Sequence, residues 1–522
     1  MPVTGGPGAL LSARHAAAEQ DMDVAADAFR RALATDPDNL ELRQQAFLAS
    51  LMAGRRDTVQ LARLLPQNQA AMLSQANEDV RDGNWSQAET RFASLPRQGI
   101  QDIMRPLLMA WSELGAGHAA EALATLRPLT QGTRLRAIYA LNAAMIADVA
   151  DLPEAGELYR TARAEAGVPN LQTVRMMSSW QARHGEGPAA EAALRELVAG
   201  STDLSLALPG LLSRVGVRPV RNATDGVAEV YLFIAAALQS QDAKDFANIL
   251  VRLALDLRPD LTAARLLAAE IAAGGKHPET GLSLLAGVSA DDPLIAVVQL
   301  RRAGLEQRLG HGAAALAILE QLAREQPNRP EPYLLQGDIL RRDLRFPEAV
   351  AAYDRALALT PAPGRGEWPL FYQRGIALER SKQWARAEAD FLKALELAPD
   401  QPQVLNYLGY SWTEQGRNMV RARQMIERAA AQLPNDGSIA DSLGWVVLRQ
   451  GDVPAAVRHL ERAVELEPGD ATINAHLGDA YQAAGRSLEA QFQWRRALTL
   501  KPEPDEVPKL EAKLRGEAAA RP

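Results

Sequence analysis

Small and large apolar residues recur in a fixed order along the C-terminal half of the chain. Ala349, Ala387, Ala422, Ala456 and Ala490 are each followed four residues later by a bulky residue: Tyr353, Phe391, Ile426, Leu460 and Trp494. A second alanine follows three residues after that, at Ala356, Ala394, Ala429, Ala463 and Ala497. Steps of four and three trace one face of a helix. Each stripe runs into a proline, at Pro361, Pro399, Pro434, Pro468 and Pro502, and an earlier proline stands at Pro327. Proline lacks an amide donor, so it ends one helix and is suited to open the next unit. Before each stripe a glycine recurs, at Gly337, Gly375, Gly409, Gly444 and Gly478. Both markers step by 34 to 38 residues. An ordinary helical bundle has no reason to keep two markers in phase, so the pattern predicts pairs of helices repeated about every 34 residues. A glycine within a helix costs about 1 kcal/mol against alanine. Its recurrence in five units makes sense if the missing side chain lets a neighbouring helix approach.

The N-terminal half carries weaker copies: Ala25/Phe29/Ala32 with Pro37, Ala155/Tyr159/Ala162, and Ala247/Val251/Ala254 with Pro259. Partial units surround Ala88/Phe92, Ala122/Leu126 and Ala190/Leu194. Gly200 to Glu229 breaks the phase and contains PG, GVRP and NATDG, which read as turns. The expected organisation is a flexible leader at 1–8, a degenerate arm at 9–199, and an irregular loop or hinge at 200–229. Further repeats follow at 230–327, a regular array at 328–502, and a polar capping helix with its tail at 503–522.

Composition agrees with helix. The 522 residues are 47% hydrophobic but only 5% aromatic, and alanine and leucine dominate over the β-branched residues that sheets prefer. The net charge of −7 gives no basic surface for nucleic acid. Short clusters such as Arg341-Arg342 and Arg495-Arg496 lie among acids and read as solvated helix faces. With no cysteine there is no disulfide framework, thiolate nucleophile or Cys-ligated zinc. The seven histidines form no paired ligand spacing, and no phosphate-binding loop or nucleophile elbow occurs. The expectation is a non-enzymatic protein without cofactor or metal. The longest apolar stretch, near Val230 to Leu238, falls short of the roughly 18 residues of a membrane span. The start, MPVTGGPGALLSARH, does not read as a signal peptide.

The segments LNYLGYSWTEQG, IADSLGWVVLRQGDVPAAVRHLERAVELEPGD and INAHLGDAYQAAGRSLEAQFQWRRALTLKP resemble the tetratricopeptide repeat family. That resemblance implies an all-α, right-handed α-solenoid of antiparallel helix pairs, roughly 12–14 of them over this length, that binds other proteins. NYLGYSW, DSLGWVVLRQG and HLGDAYQAAGR, with AEVYLFIAAALQSQDAKDFANILVRLALDLRPDLTAARLLAAE, are similar to proteobacterial envelope proteins of this family. Among these is a lipoprotein adaptor that brings substrates to a carboxyl-terminal processing protease. The implied partners are such a protease and its substrates, and the implied location is the periplasm or outer membrane; self-association is compatible with the pattern. The chain departs from that group in having no lipid-acceptor cysteine. Rival readings are a scaffold for polysaccharide export, a cytoplasmic co-chaperone or assembly platform, and an enzyme with a diffuse site.

In this family the first helix of each pair lines the binding groove. Offsets from the marker glycine then place Arg341, Tyr372, Ile376, Glu379, Asn406, Tyr410, Asp441, Trp445, His476 and Asp479 there. Tyr410 and Trp445 each follow a glycine in successive units, so they are expected near one another, as core fillers or as a contact patch rimmed by carboxylates. Chaperone-binding members hold an acidic C-terminus with Lys, Arg and Asn donors, whereas this groove offers Glu379, Asp441 and Asp479. Like charges repel, so residues 328–502 are expected to recover no peptide with an acidic C-terminus in a pull-down; tight capture would contradict the groove assignment.

Overall fold

A computed structural model describes residues 7–131, 135–167, 170–199, 202–239, 243–360 and 362–517. All regular secondary structure among them is helical. The chain divides into two compact units, Met1–Pro332 and Tyr333–Pro522.

The second unit is built from consecutive pairs. Glu331–Arg342 pairs with Phe346–Ala358, Trp368–Arg380 with Trp384–Leu397, and Pro402–Glu414 with Met419–Gln432. Gly437–Arg449 pairs with Val453–Leu466, Ala471–Ala483 with Ser487–Thr499, and the short helix Val507–Leu514 follows. Every marker glycine faces the bulky residue of its own pair. A Cβ at Gly337 would come within 2.5 Å of Tyr353, at Gly375 within 2.6 Å of Phe391, and at Gly409 within 2.7 Å of Ile426. At Gly444 the neighbour is Leu460 and at Gly478 Trp494, both at 2.5 Å. No side chain larger than hydrogen fits there, which accounts for the repeated glycine. The flanking alanines of the stripe are fully buried and let the helices close. Pro399, Pro434 and Pro468 follow the second helices as expected, while Pro361 lies outside the described residues.

Among the described residues the first unit contains nine pairs, beginning with Pro7–Ala18 and Met22–Thr35 and ending with Ile295–Arg308 and Gly312–Glu325. Its weak repeat alanines and large residues, from Ala25 and Phe29 to Ala247 and Val251, are buried as in the second unit. Residues 1–6 of the leader lie outside the described residues, and Pro7 already opens a helix. Most of the segment read as a loop at 200–229 is also ordered. It holds the helices Thr202–Ser205 and Leu208–Ser213, and its last residues belong to the 17-residue helix Ala223–Gln239. NATDG is thus a helix start and not a turn: the Asn222 side chain accepts the Asp225 amide at 2.9 Å, satisfying a donor that the first turn leaves free.

A second departure concerns connectivity. A repeat array is expected to make contacts only between neighbours. Here Ala223–Gln239 packs on Gly99–Gly115, and Lys244–Leu257 on Gln69–Arg81, both far back in the chain. Gly226 lies against Trp111, where a Cβ would come within 2.2 Å of the ring. Buried Asn77 donates to the Leu253 carbonyl at 3.0 Å and accepts from the Tyr231 hydroxyl at 3.0 Å. One continuous apolar core therefore runs from Ala9 to Ala268.

Two glycine substitutions separate packing from chain entropy. Gly444→Leu forces a side chain into Leu460 and its backbone, and is expected to cost about 1–3 kcal/mol or more. Gly469→Ala meets nothing within 4 Å and should change stability by no more than about 0.5–1 kcal/mol. Hydrogen exchange on Gly444→Leu should rise first in the pairs around residues 437–466. A uniform rise along the whole chain would contradict nearest-neighbour stability in this unit.

Candidate functional site

The sequence-derived groove residues lie on the first helices of successive pairs in the second unit. Trp368–Arg380 presents Tyr372, Ile376 and Glu379, all half-buried. The Tyr372 ring is 6.0 Å from that of Tyr407 in an edge-on arrangement, and the Tyr407 hydroxyl donates to Glu379 at 3.2 Å. Tyr407 also lies 5.1 Å from Phe391. Burial, with Glu379 alongside, pushes the Tyr407 phenol up, so it remains a neutral donor. Arg341 and Asn406 are half-buried; the Asn406 side-chain oxygen is buried without a partner among the described residues.

A second cluster joins three pairs. The Trp445 and His476 rings stack 4.0 Å apart at 14°, and His476 Nδ1 lies 2.9 Å from an Asp441 oxygen. The Tyr410 ring is 6.3 Å from His476. The two aromatics expected to meet therefore do so through the imidazole. The Trp445 indole donates to Glu414 at 2.6 Å, and the Arg449 guanidinium lies 5.8 Å from the same ring. Asp441, Trp445 and His476 are 5–8% exposed. As a group they are the packed floor of the face and not free contacts, in line with the core-filling alternative for Trp445. The first helix of the following pair, through His476, packs on Asp441 and Trp445, a matter that helical periodicity does not report. Asp479 stands apart: it accepts the Trp494 indole at 3.0 Å and pairs with Lys513 at 2.7 Å.

Tyr407 and Glu414 were missed by glycine offset. A signal for Glu414 existed, because Asn406, Tyr410 and Glu414 step by four along one helix face. Tyr407 falls on the side that reads as core. Among the described residues no group of three or more His, Cys, Asp or Glu is arranged to hold a metal ion, and no helix is long and apolar enough to cross a membrane.

Burial works against the His476 cation, but the Asp441 carboxylate, with Asp479 and Glu414 further out, outweighs it and raises the His476 pKa above the ordinary histidine value. A raised folded-state value means the charged pair stabilises the fold fully below the unfolded value, and that contribution is lost as pH rises through the folded one. Asp441→Asn should therefore cost about 1–3 kcal/mol near about pH 5.5 and clearly less near about pH 8.5 in urea melts. An equal cost at both pH values would mean that His476 is neutral in the folded protein.

Comparison with known proteins places these features. A family model for the tetratricopeptide repeat matches residues 368–401, and a second matches 300–363 and 442–503. A TPR repeat-containing protein of Pseudomonas aeruginosa is 30% identical over 182 residues, covering 35% of this chain and 30% of that protein's length. Among solved structures, a chain of the APC/C hetero-tetramer Cut9–Hcn1 aligns with 89% of this chain and 99% of its own, at 13% identity and a TM-score of 0.41. YrrB, a TPR protein with an unusual peptide-binding site, aligns with 37% of this chain and 97% of its own, at 21% identity and a TM-score of 0.29. The all-helical pairs, the glycine-to-bulky contact inside each and the family matches agree: the chain contains tetratricopeptide repeats, those matched lying between residues 300 and 503.

Proposed function

We propose that the protein is a non-enzymatic scaffold that binds another protein on the shared face of the first helices in residues 333–502. The observation that carries this reading is the pair of aromatic and acidic clusters on those helices. Tyr372 and Tyr407 lead to Glu379; Tyr410, Trp445 and His476 lead to Glu414. Aromatic rings set in a packed floor with polar rims are the usual anchors of protein contacts. Tyr372, Tyr410 and Glu379 are half-buried and Glu414 is exposed, so these four are the residues a partner would touch. Glu379 and Glu414 accept hydrogen bonds from a phenol and an indole, neutral donors that leave the carboxylate charge in place. The partner segment would be neutral or cationic and would carry an apolar residue for the aromatic floor.

The finer reading is an adaptor of the bacterial cell envelope that presents substrates or partners to a protease or assembly machine. It rests on the resemblance of the segments quoted above. Tagged full-length protein recovered from its own cells should co-purify a specific partner. The pair Glu379→Lys and Glu414→Lys, both outside the buried core, should reduce that recovery by about tenfold or more with an unchanged helical circular dichroism spectrum. Equal recovery by the variant would remove this face from the interaction. A partner that is a processing protease or its substrate would support the envelope adaptor, and a cytoplasmic assembly factor would exclude it.

A further inference from the structure

The first unit holds a cavity of about 170 Å³ where the phase-breaking segment meets the helices on either side of it. A cavity of about 150 Å³ accommodates benzene, so the space suits a group of that size. Its walls come from Leu171–Arg183, Gly187–Ala199, Leu208–Ser213 with the residues that follow, the end of Lys244–Leu257, and the turns at 260–262 and 292–293. One wall is held by close backbone contact: a Cβ at Gly210 would come within 2.5 Å of the Pro293 carbonyl oxygen. Another is pinned by two hydrogen bonds, from Ser179 to the Val217 carbonyl at 2.9 Å and from Arg258 to the Pro219 carbonyl at 3.3 Å.

Five arginines line this cavity against two aspartates. Four of the five are committed. Arg214 pairs with Asp291. Arg218 pairs with Asp151 at 2.6 Å and lies 3.4 Å from Asp148. Arg221 pairs with Asp225 at 2.8 Å, and Arg258 lies 3.3–3.6 Å from Glu229, Asp225 and Asp260. The lining Asp292 is itself occupied, accepting the Thr262 hydroxyl at 2.7 Å and the Leu294 amide at 2.8 Å. Arg175 has no hydrogen bond or ion pair among the described residues, although burial pulls its pKa down and the Glu229 and Asp292 charges only partly restore it. A guanidinium carries five donors in a fixed fork, and Arg175 is half-buried, so its donors stay open to an incoming acceptor. The remaining wall is aliphatic: Leu194, Leu211 and Leu261 are each no more than 3% exposed.

We propose that this cavity binds a carboxylate carried next to a compact apolar group, with Arg175 receiving the carboxylate and the leucines receiving the apolar part. A divalent cation would face an excess of arginine, and a bare inorganic anion would leave the leucine wall without a partner. The shared chemistry has two sources, a free aliphatic acid or the last residue of a polypeptide with an apolar side chain. It is separate from the face in residues 333–502, for which an acidic terminus is disfavoured.

The test is calorimetric titration of the purified full chain with N-acetyl-leucine, its amide, a hexapeptide ending in leucine with free or amidated terminus, and inorganic phosphate. N-acetyl-leucine should bind saturably, and its amide at least about tenfold more weakly, the loss expected for one charge-assisted contact. Arg175→Met should weaken the acid by a similar factor without lowering the melting midpoint, because it removes a half-buried guanidinium that makes no hydrogen bond or ion pair among the described residues. An arginine with a purely structural role would lower the midpoint and leave the acid-to-amide ratio intact. Tighter binding of the free-terminus peptide than of N-acetyl-leucine would identify a polypeptide terminus; weaker binding would identify a free acid. Absence of saturable binding by every free carboxylate, equal affinity for acid and amide, or phosphate binding as tight as N-acetyl-leucine would each overturn the proposal. The acid-to-amide comparison is made on the unaltered protein, so the outcome does not hang on the variant folding.

Discussion

In each pair of the second unit, a bulky side chain on the second helix fills the space where the first helix has only a glycine hydrogen. The rest of that unit depends on this contact. A Cβ at any of the five glycines would come within 2.5–2.7 Å of that side chain, so the distance between the two helices is set by the absent atom. Burying a residue such as Phe391 or Leu460 contributes about 1.5–3 kcal/mol, more than the roughly 1 kcal/mol that glycine costs a helix. The fully buried alanines on either side of the bulky residue follow from the same closeness, because anything larger would hold the helices apart. Each pair still has one apolar edge left, and only another pair covers it, so the unit repeats.

The first unit uses the same kind of contact with different partners. A Cβ at Gly156 would strike Trp180, which belongs to the next pair, and one at Gly226 would strike Trp111, far earlier in the chain. The Trp111 indole in turn donates to buried Asn142 at 2.8 Å. When the bulky partner of a glycine lies outside its own pair, the spacing between the two residues is no longer tied to a 34-residue step. The markers then drift out of phase although the packing principle is unchanged. This explains why the N-terminal copies look decayed while their alanines and large residues are as well buried as those of the regular array.

Legibility in the sequence tracked how local each contact is. The glycine, bulky and alanine positions were readable because both partners sit within one repeat. The start of Ala223–Gln239 was not, since NATDG has the composition of a turn and only the Asn222 cap reveals a helix. The packing of Ala223–Gln239 on Gly99–Gly115 left no periodic trace at all. In the candidate face, helical offset grouped Tyr372, Glu379, Tyr410, Trp445 and His476, and the rings of Tyr410, Trp445 and His476 do lie together. It could not report how deeply the packing of neighbouring helices buries Asp441, Trp445 and His476, and so left core and contact roles open.

Floor and rim differ also in how their charges are held. Asp441 faces the raised-pKa imidazole of His476, and Asp479 faces the ammonium of Lys513; each has a countercharge within the unit. Trp445 and Tyr407 offer Glu414 and Glu379 only neutral N–H and O–H groups. A neutral donor satisfies a carboxylate geometrically yet leaves its field in place, and on an exposed residue that field reaches roughly a Debye length, about 8–10 Å. The same aromatic side chains that build the floor therefore orient the carboxylates above it, although Lys509 and His476 lie close enough to feel the Glu414 charge. Packing and electrostatics on this face are thus properties of the same few residues, and a substitution that disturbs the aromatic floor displaces the charges as well.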